Sequence, residues 1–136
     1  MKTVSSPKEV LHLKDLGVEF KNTPCSWISP FESTERESWV LEETETAEVE
    51  IAKLESIFVK MLPAPNFQEV LEKLPKILFL KTFSSYLVML WENTTECEMG
   101  YTGIKSSRFK NNNLLQAAYD LLCWCAEKEH LNNKQQ

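Results

Sequence analysis

The sequence predicts an α+β fold in which a C-terminal amphipathic helix packs on a three-stranded antiparallel meander. Residues 77–104 contain successive β-forming runs separated by turn residues, and residues 114–125 carry apolar side chains at helical spacing. The chain has 136 residues and is 43% hydrophobic, which suits one domain with a substantial core. We therefore expect a single domain over residues 1–136, ending in a polar tail at residues 132–136.

The first part of the chain, residues 1–62, is expected to hold a short helix, an irregular acidic segment and a second helix. Ser6 is a typical N-cap, and Pro7 suits the first position of a helix. Gly17 is a typical C-terminal glycine, so the first helix should cover residues 7–16.

Beyond this helix the pattern is less regular. A short strand is expected at residues 38–41, and the glutamates that follow predict a solvated segment over residues 42–50. Residues 47–62 carry apolar side chains three and four apart, which favours a helix. Alternation at Ile57 and Val59 leaves a strand open as the alternative.

Residues 63–131 are expected to form an α-β-β-β-α module. Asn66 can cap the first helix of this module, which Pro75 ends. The last helix begins after Asn112 or Asn113, since either is a suitable cap, and its apolar stripe is broad.

Three strands are expected between these two helices. Residues 77–83 and 86–91 are rich in β-forming side chains and should form a hairpin around a turn at residues 84–85. Residues 96–104 place apolar side chains on one face and should form the third strand. The basic residues that follow are expected in a loop that leads into the last helix.

The charge is unevenly distributed, and its acidic part is the first candidate binding surface. The net charge is −5, and glutamates cluster in the acidic segment at residues 31–50. The candidate partner-binding residues are Trp39, Glu42, Glu43, Glu45 and Glu48. We expect a protein partner, either a host protein or a second copy of the chain.

The basic loop is the second candidate surface. Lys105, Arg108 and Lys110 lie just before the last helix, where an anion would be favoured. Nucleic-acid binding through these residues is the alternative to protein binding. It is disfavoured because nucleic-acid affinity depends on neutralising phosphates, which an acidic chain opposes.

No pattern for catalysis, a metal or a cofactor is present in the sequence. Cys123 and Cys125 are two residues apart, so on a helix they project about 200° apart and do not readily share a zinc ion. The sequence contains neither a phosphate-binding glycine loop nor a nucleophile elbow. We expect a non-enzymatic protein with buried thiols and without metal or cofactor.

The sequence predicts neither a signal peptide nor a membrane segment. The N-terminus lacks the continuous apolar region of a signal peptide, and no run reaches the ~18–20 apolar residues of a membrane span. We therefore expect a cytoplasmic protein without a membrane segment.

Three stretches together resemble a group of small phage and mobile-element proteins from gut anaerobes. These stretches are residues 9–28, with a Leu-Gly helix end and a Thr-Pro-Cys-x-Trp motif, residues 65–76 and residues 112–131. The matching core positions are Leu71, Leu74, Pro75, Ala117, Leu121 and Trp124. Cys125 departs from the pattern, which has an aliphatic residue there. The resemblance implies a phage-derived accessory protein and brings no activity or catalytic residue.

The order of elements resembles two further groups. The α-β-β-β-α order is similar to that of double-stranded-RNA-binding domains, whose signature Gly and Lys-Lys pattern is missing here. The β-β-β-α part is similar to the partial form of that fold in HicB-type antitoxins. This second likeness implies an interaction module.

Overall fold

The computed structural model describes residues 3–29, 39–54, 60–91 and 96–132, and over these the fold is α+β, as predicted. In chain order the elements are α1 (Pro7–Asp15), β1 (Cys25–Ser29), β2 (Val40–Glu43), α2 (Thr44–Leu54), β3 (Lys60–Pro63), α3 (Phe67–Lys73), β4 (Ile77–Phe79), β5 (Ser84–Trp91), β6 (Cys97–Tyr101), β7 (Ile104–Asn111), α4 (Leu114–Glu127) and a 3-10 turn (His130–Asn132). The described strands form two antiparallel sheets, ordered β2-β1-β3 and β4-β5-β6-β7.

The helix predicted at residues 7–16 is present as α1, and its predicted N-cap and C-terminal glycine are confirmed. Ser6 Oγ accepts a hydrogen bond from Glu9 N (3.2 Å), and Ser6 N donates to Glu9 Oε1 (2.9 Å). This reciprocal pair satisfies two backbone donors at the N-terminus of α1. Gly17 has a φ of +90°, the left-handed conformation that favours glycine after a helix end.

The caps of α3 and α4 also follow from the sequence. Asn66 and Glu69 form a second capping box, with distances of 3.0 Å and 2.8 Å between their side chains and each other's backbone N–H. For α4 the cap is Asn113, whose Oδ1 accepts from Gln116 N at 3.0 Å. The choice between Asn112 and Asn113 is thereby resolved.

The main hydrophobic core lies between α4 and one face of the four-stranded sheet. α3 packs against α4, and α4 packs on β6 and β7. The buried residues of this cluster are Leu13, Val18, Phe20, Val70, Leu74, Leu78, Cys97, Met99, Tyr101, Leu115, Ala117, Ala118, Leu121, Leu122, Trp124 and Cys125. Both ends of the chain therefore contribute to one core.

The three-stranded sheet was missed by the sequence prediction. β1 is its central strand, and Trp27 faces Leu41 of β2 on one side and Leu62 of β3 on the other. The Trp27 indole donates to Ser5 O at 2.8 Å. The segment predicted to be irregular thus contributes the central strand of this sheet, because partners distant in sequence satisfy its backbone on both sides.

The predicted helix at residues 47–62 is partly wrong. α2 covers Thr44–Leu54 and packs on β1 and β2, whereas Lys60–Pro63 forms β3. Residues 55–59 lie outside the described residues, as do residues 30–38. The short strand expected at residues 38–41 occurs at Val40–Glu43.

The meander has four strands, so the prediction of three was wrong. Its fourth strand, β7, occupies the segment predicted to be a loop. A two-residue turn with Gly103 at φ +78° connects β6 to β7. A bulge follows, in which Ser107 Oγ accepts from Tyr101 N (2.9 Å) and donates to Ile104 O (2.6 Å). The Ser107 hydroxyl thus takes over backbone pairing that the bulge interrupts, which the sequence pattern does not reveal.

The first hairpin of the meander also differs from its prediction. β4 ends at Phe79 rather than at residue 83, and Leu80 N donates to Phe83 O (2.9 Å) to close the turn. Ser85, expected in the turn, is buried in β5 and its hydroxyl donates to Thr102 O. A serine that finds such a partner is compatible with a strand interior.

Candidate interaction surface

The basic candidates lie on strand β7 and not in a loop before α4. Arg108 Nη1 is 3.4 Å from Glu98 Oε1, and Glu98 is also the register partner of Lys110. Both bases therefore flank one carboxylate on the sheet face opposite α4. Lys105 is exposed and lies on the other side of the bulge. Because an acid lies between the bases, the segment is a poor cradle for phosphate.

The acidic candidates are divided between two elements. Glu42 and Glu43 are adjacent on β2, so their side chains point to opposite faces of the sheet. Glu45 and Glu48 lie three residues apart near the start of α2, and both are exposed. The structure brings Glu45 and Glu48 together and separates Glu42 from Glu43.

Trp39 lies beside α1, whereas Glu45 and Glu48 lie on α2. It is half-buried and lines a groove of about 530 Å³ against α1, where Leu11 and His12 are among the opposing residues. Glu42 is half-buried too, and its Oε2 atom is buried without a hydrogen-bond partner. Among the described residues that line this groove, none is one of the candidate glutamates.

The cysteines have the environment of packing residues. All four are free, and Cys97 and Cys125 are fully buried. Burial raises the pKa of the Cys125 thiol to about 12 and that of the Cys123 thiol to about 11. The reactive form of cysteine is the thiolate, so these thiols are poor nucleophiles at neutral pH.

A ring cluster at the end of α4 surrounds Tyr101. The Tyr101 hydroxyl donates to Pro75 O (2.7 Å) and accepts from Cys125 Sγ (3.7 Å), and burial raises the Tyr101 pKa. The Trp124 ring stacks on Tyr101 at 6.2 Å and contacts His130 at 5.1 Å between centroids. Burial lowers the pKa of His130. The cluster joins β6, α4 and the 3-10 turn and is consistent with core packing.

Two properties of the described residues bear on metal and membrane binding. No three His, Cys, Asp or Glu side chains among them are grouped closely enough to hold a metal ion. None of the helices in the same residues has both the length and the apolar character needed to cross a membrane. The expectations of no metal, no cofactor and no catalytic site stay predictions.

The described residues also present an apolar surface that was missed by the sequence prediction. Six large apolar side chains on and between β4 and β5 are 45–55% exposed. This group, which we call the exposed apolar group, consists of Phe79, Phe83, Tyr86, Met89, Leu90 and Trp91. Its members are exposed although they are of residue types that usually lie inside.

The strand register explains why β5 is exposed on both faces. Met89 pairs with Met99 and therefore lies on the face that carries the core. Met89 is nevertheless 45% exposed, because α4 packs on β6 and β7. Leu90 pairs with Glu98 and lies on the opposite face, which is also that of Tyr86. Neither face of the end of β5 is fully covered.

A signal for this surface is present in the sequence. Residues 86–91 read Tyr-Leu-Val-Met-Leu-Trp, which is apolar on both faces of a strand. A two-sided apolar strand is typical of a sheet covered on both faces. The predicted fold provides one covering helix for this sheet, so the second apolar face has no predicted cover.

A comparison with protein-family models, with curated proteins and with solved structures finds no match. The kinship with phage and mobile-element proteins therefore stays a prediction. The neighbouring genes would test it.

Proposed function

We propose that this chain is a non-enzymatic interaction protein that binds another polypeptide through the exposed apolar group on β4 and β5. The observation that carries the proposal is the concentration of six half-exposed large apolar side chains within residues 79–91. A half-exposed aromatic side chain leaves on the order of 100 Å² accessible. Summed over both faces of β5 and the β4–β5 turn, the group exposes several hundred Å² of apolar surface, an extent typical of binding surfaces on soluble proteins.

Nucleic-acid binding receives less support. The acidic Glu98 lies on β6, the strand that pairs with the strand carrying Lys105, Arg108 and Lys110, and the chain is acidic overall.

The free thiols suit a reducing compartment, and a cytoplasmic location is part of the proposal.

Site-specific photocrosslinking tests this function. A photoreactive phenylalanine analogue replaces Tyr86, which is 53% exposed, in cells that produce the full chain. The matched control replaces Val49 on α2, which is 50% exposed and adjoins the acidic Glu48. We expect a polypeptide adduct at position 86 and none at position 49.

The two positions separate the candidate surfaces. An adduct at position 49 alone would favour the acidic segment and contradict binding through β4 and β5. Adducts at neither position would contradict the function itself. Because apolar contacts dominate the proposed surface, the yield at position 86 should persist at high salt.

A further inference from the structure

Among the described residues, one backbone edge of β5 is paired over only part of its length. Leu87 N donates to Lys76 O on the β4 side (3.0 Å), whereas Tyr86 O accepts from Thr102 N on the β6 side (3.0 Å). Backbone groups of successive residues in a strand point alternately to the two edges. The N–H and C=O groups of Met89 and Trp91 therefore point to the same edge as those of Leu87.

The strand β4 is too short to cover that edge. It pairs with β5 from Phe79↔Ser84 to Ile77↔Tyr86. Past Leu87, no other strand of the described residues pairs with this edge of β5. We call residues 88–91 the open segment of β5. Unpaired strand edges are templates for adding another strand.

We propose that the open segment of β5 pairs antiparallel with the same segment of a second copy, forming a symmetric dimer with one continuous sheet. This inference rests on the proposed function and names its partner. A symmetric dimer uses the same surface on both subunits, so a strand paired antiparallel with its own copy fulfils that symmetry.

The open backbone groups specify the register. Met89 of one copy pairs with Trp91 of the other, and Trp91 pairs with Met89, which makes four backbone hydrogen bonds. A register centred on Met89 would instead require Leu87, which already bonds Lys76. The chosen register places Leu90 of both copies opposite each other at the twofold axis. It also places each Met89 thioether beside a Trp91 ring, a favourable contact.

No charge on the open segment opposes its pairing with a second copy. Residues 84–91 carry no charged side chain, although the whole chain has a net charge of −5. Natural sheets usually protect an exposed edge with a charged residue or proline, and the open segment has neither. A second copy can therefore pair here without placing two like charges opposite each other within the open segment.

The accessible area sets the strength of the dimer. Met89, Leu90 and Trp91 are 45%, 47% and 55% exposed, and burying them removes on the order of 300 Å² per subunit. Together with the backbone, that places the contact below the ~1,200 Å² total of standard interfaces, in the range of transient association. We therefore expect a reversible dimer and not an obligate one.

Sedimentation equilibrium of the full chain tests the pairing, from about 1 μM to about 1 mM, where transient interfaces associate. The unsubstituted chain should approach twice the monomer mass. Leu90→Lys and Leu90→Glu should each weaken association at least tenfold, because like charges meet across the twofold axis. An equimolar mixture of these two variants should restore it, because Lys then faces Glu.

A matched control separates this pairing from general adhesion. Leu41→Lys changes a leucine that is 39% exposed on β2, the edge strand of the other sheet, and should leave the association constant unchanged. Circular dichroism should show an unchanged fold for all three variants. A monomer at every concentration, an equal loss in Leu41→Lys, or no recovery in the mixture would overturn the dimer.

The two proposals fail in different ways. If the chain stays monomeric while position 86 crosslinks to a different polypeptide, the dimer is wrong and the interaction function stands. If the chain stays monomeric and no adduct forms, both are wrong. An adduct of twice the chain mass supports both.

Discussion

β5 and β6 are neighbours in one sheet and have opposite environments. Cys97, Met99 and Tyr101 of β6 are at most 1% exposed. Met89 and Trp91 of β5, on the same face, are 45% and 55% exposed. Both strands are rich in apolar residues, so composition does not account for the difference.

The position of α4 accounts for it. The helix packs on β6 and β7, and its apolar stripe is matched to their core face. β6 also has a strand on each side, whereas β5 loses β4 after Leu87. A strand can therefore be apolar because it is buried in its own fold or because it contacts another chain. Whether a helix of the same chain covers the strand distinguishes the two cases.

A pair of methionines provides the largest expected contrast. Met99 is 1% exposed, and Met99→Ala should lower the free energy of unfolding by about 2–5 kcal/mol, because it leaves a cavity under α4. Met89 is its register partner, and Met89→Ala should cost less than about 1 kcal/mol. Urea unfolding at low protein concentration measures both. Equal losses would contradict the assigned difference between the strands.

Gly100 tests how closely β7 approaches β6. A Cβ at this position would lie 2.6 Å from Arg108 Cδ and 2.7 Å from the Ser107 carbonyl oxygen. We expect Gly100→Ala to destabilise by about 1–3 kcal/mol, since the backbone of the bulge must shift. Ser106→Ala, at an exposed position of β7, is the control and should be near neutral in the same melts. If Gly100→Ala left the stability unchanged, the backbones of β6 and β7 would be less closely packed than described.

The cap of α4 gives a smaller effect. Asn113→Ala removes the acceptor for Gln116 N and should cost about 1 kcal/mol in thermal or urea unfolding. Asn112→Ala is the matched control, because Asn112 is exposed and adjacent but does not cap. If the two variants were equally destabilised, the cap assignment would be wrong.

His130 gives the smallest effect, a dependence of stability on pH. Its pKa in the folded chain lies below the ordinary 6.5, so the unfolded chain binds the proton more readily. Stability contributed by neutral His130 is complete above about pH 6.5 and falls as the pH drops through that value. The stability difference between the unsubstituted chain and His130→Gln should therefore shrink between about pH 7 and about pH 5. A difference that grows on acidification would reverse the assigned sign.

Local signals made part of the fold predictable from the sequence. Ser6, Asn66 and Asn113 act on backbone groups two or three residues away, so they can be recognised without tertiary information. The apolar stripe of α4 is similarly local.

Non-local pairing made the rest unpredictable. β1 pairs with residues up to 37 positions away in the sequence, as in Ser26↔Pro63. The local sequence of either strand does not indicate that pairing. The basic segment forms β7 by pairing with β6, and the Ser107 hydroxyl bonds the Tyr101 backbone where that pairing is irregular. The acidic and basic candidates were chosen by charge, whereas the exposed apolar group was visible as a two-sided run but was predicted only as part of a hairpin.

Amide hydrogen exchange at Met89 and Trp91 tests the central claim most directly. The two N–H groups point to the open edge of β5, so in dilute solution they should exchange far faster than the Val88 amide, which points to β6. Raising the concentration should slow exchange at Met89 and Trp91 and leave Val88 unchanged, because the second copy supplies their acceptors. Protection of these two amides that does not depend on concentration would contradict the account.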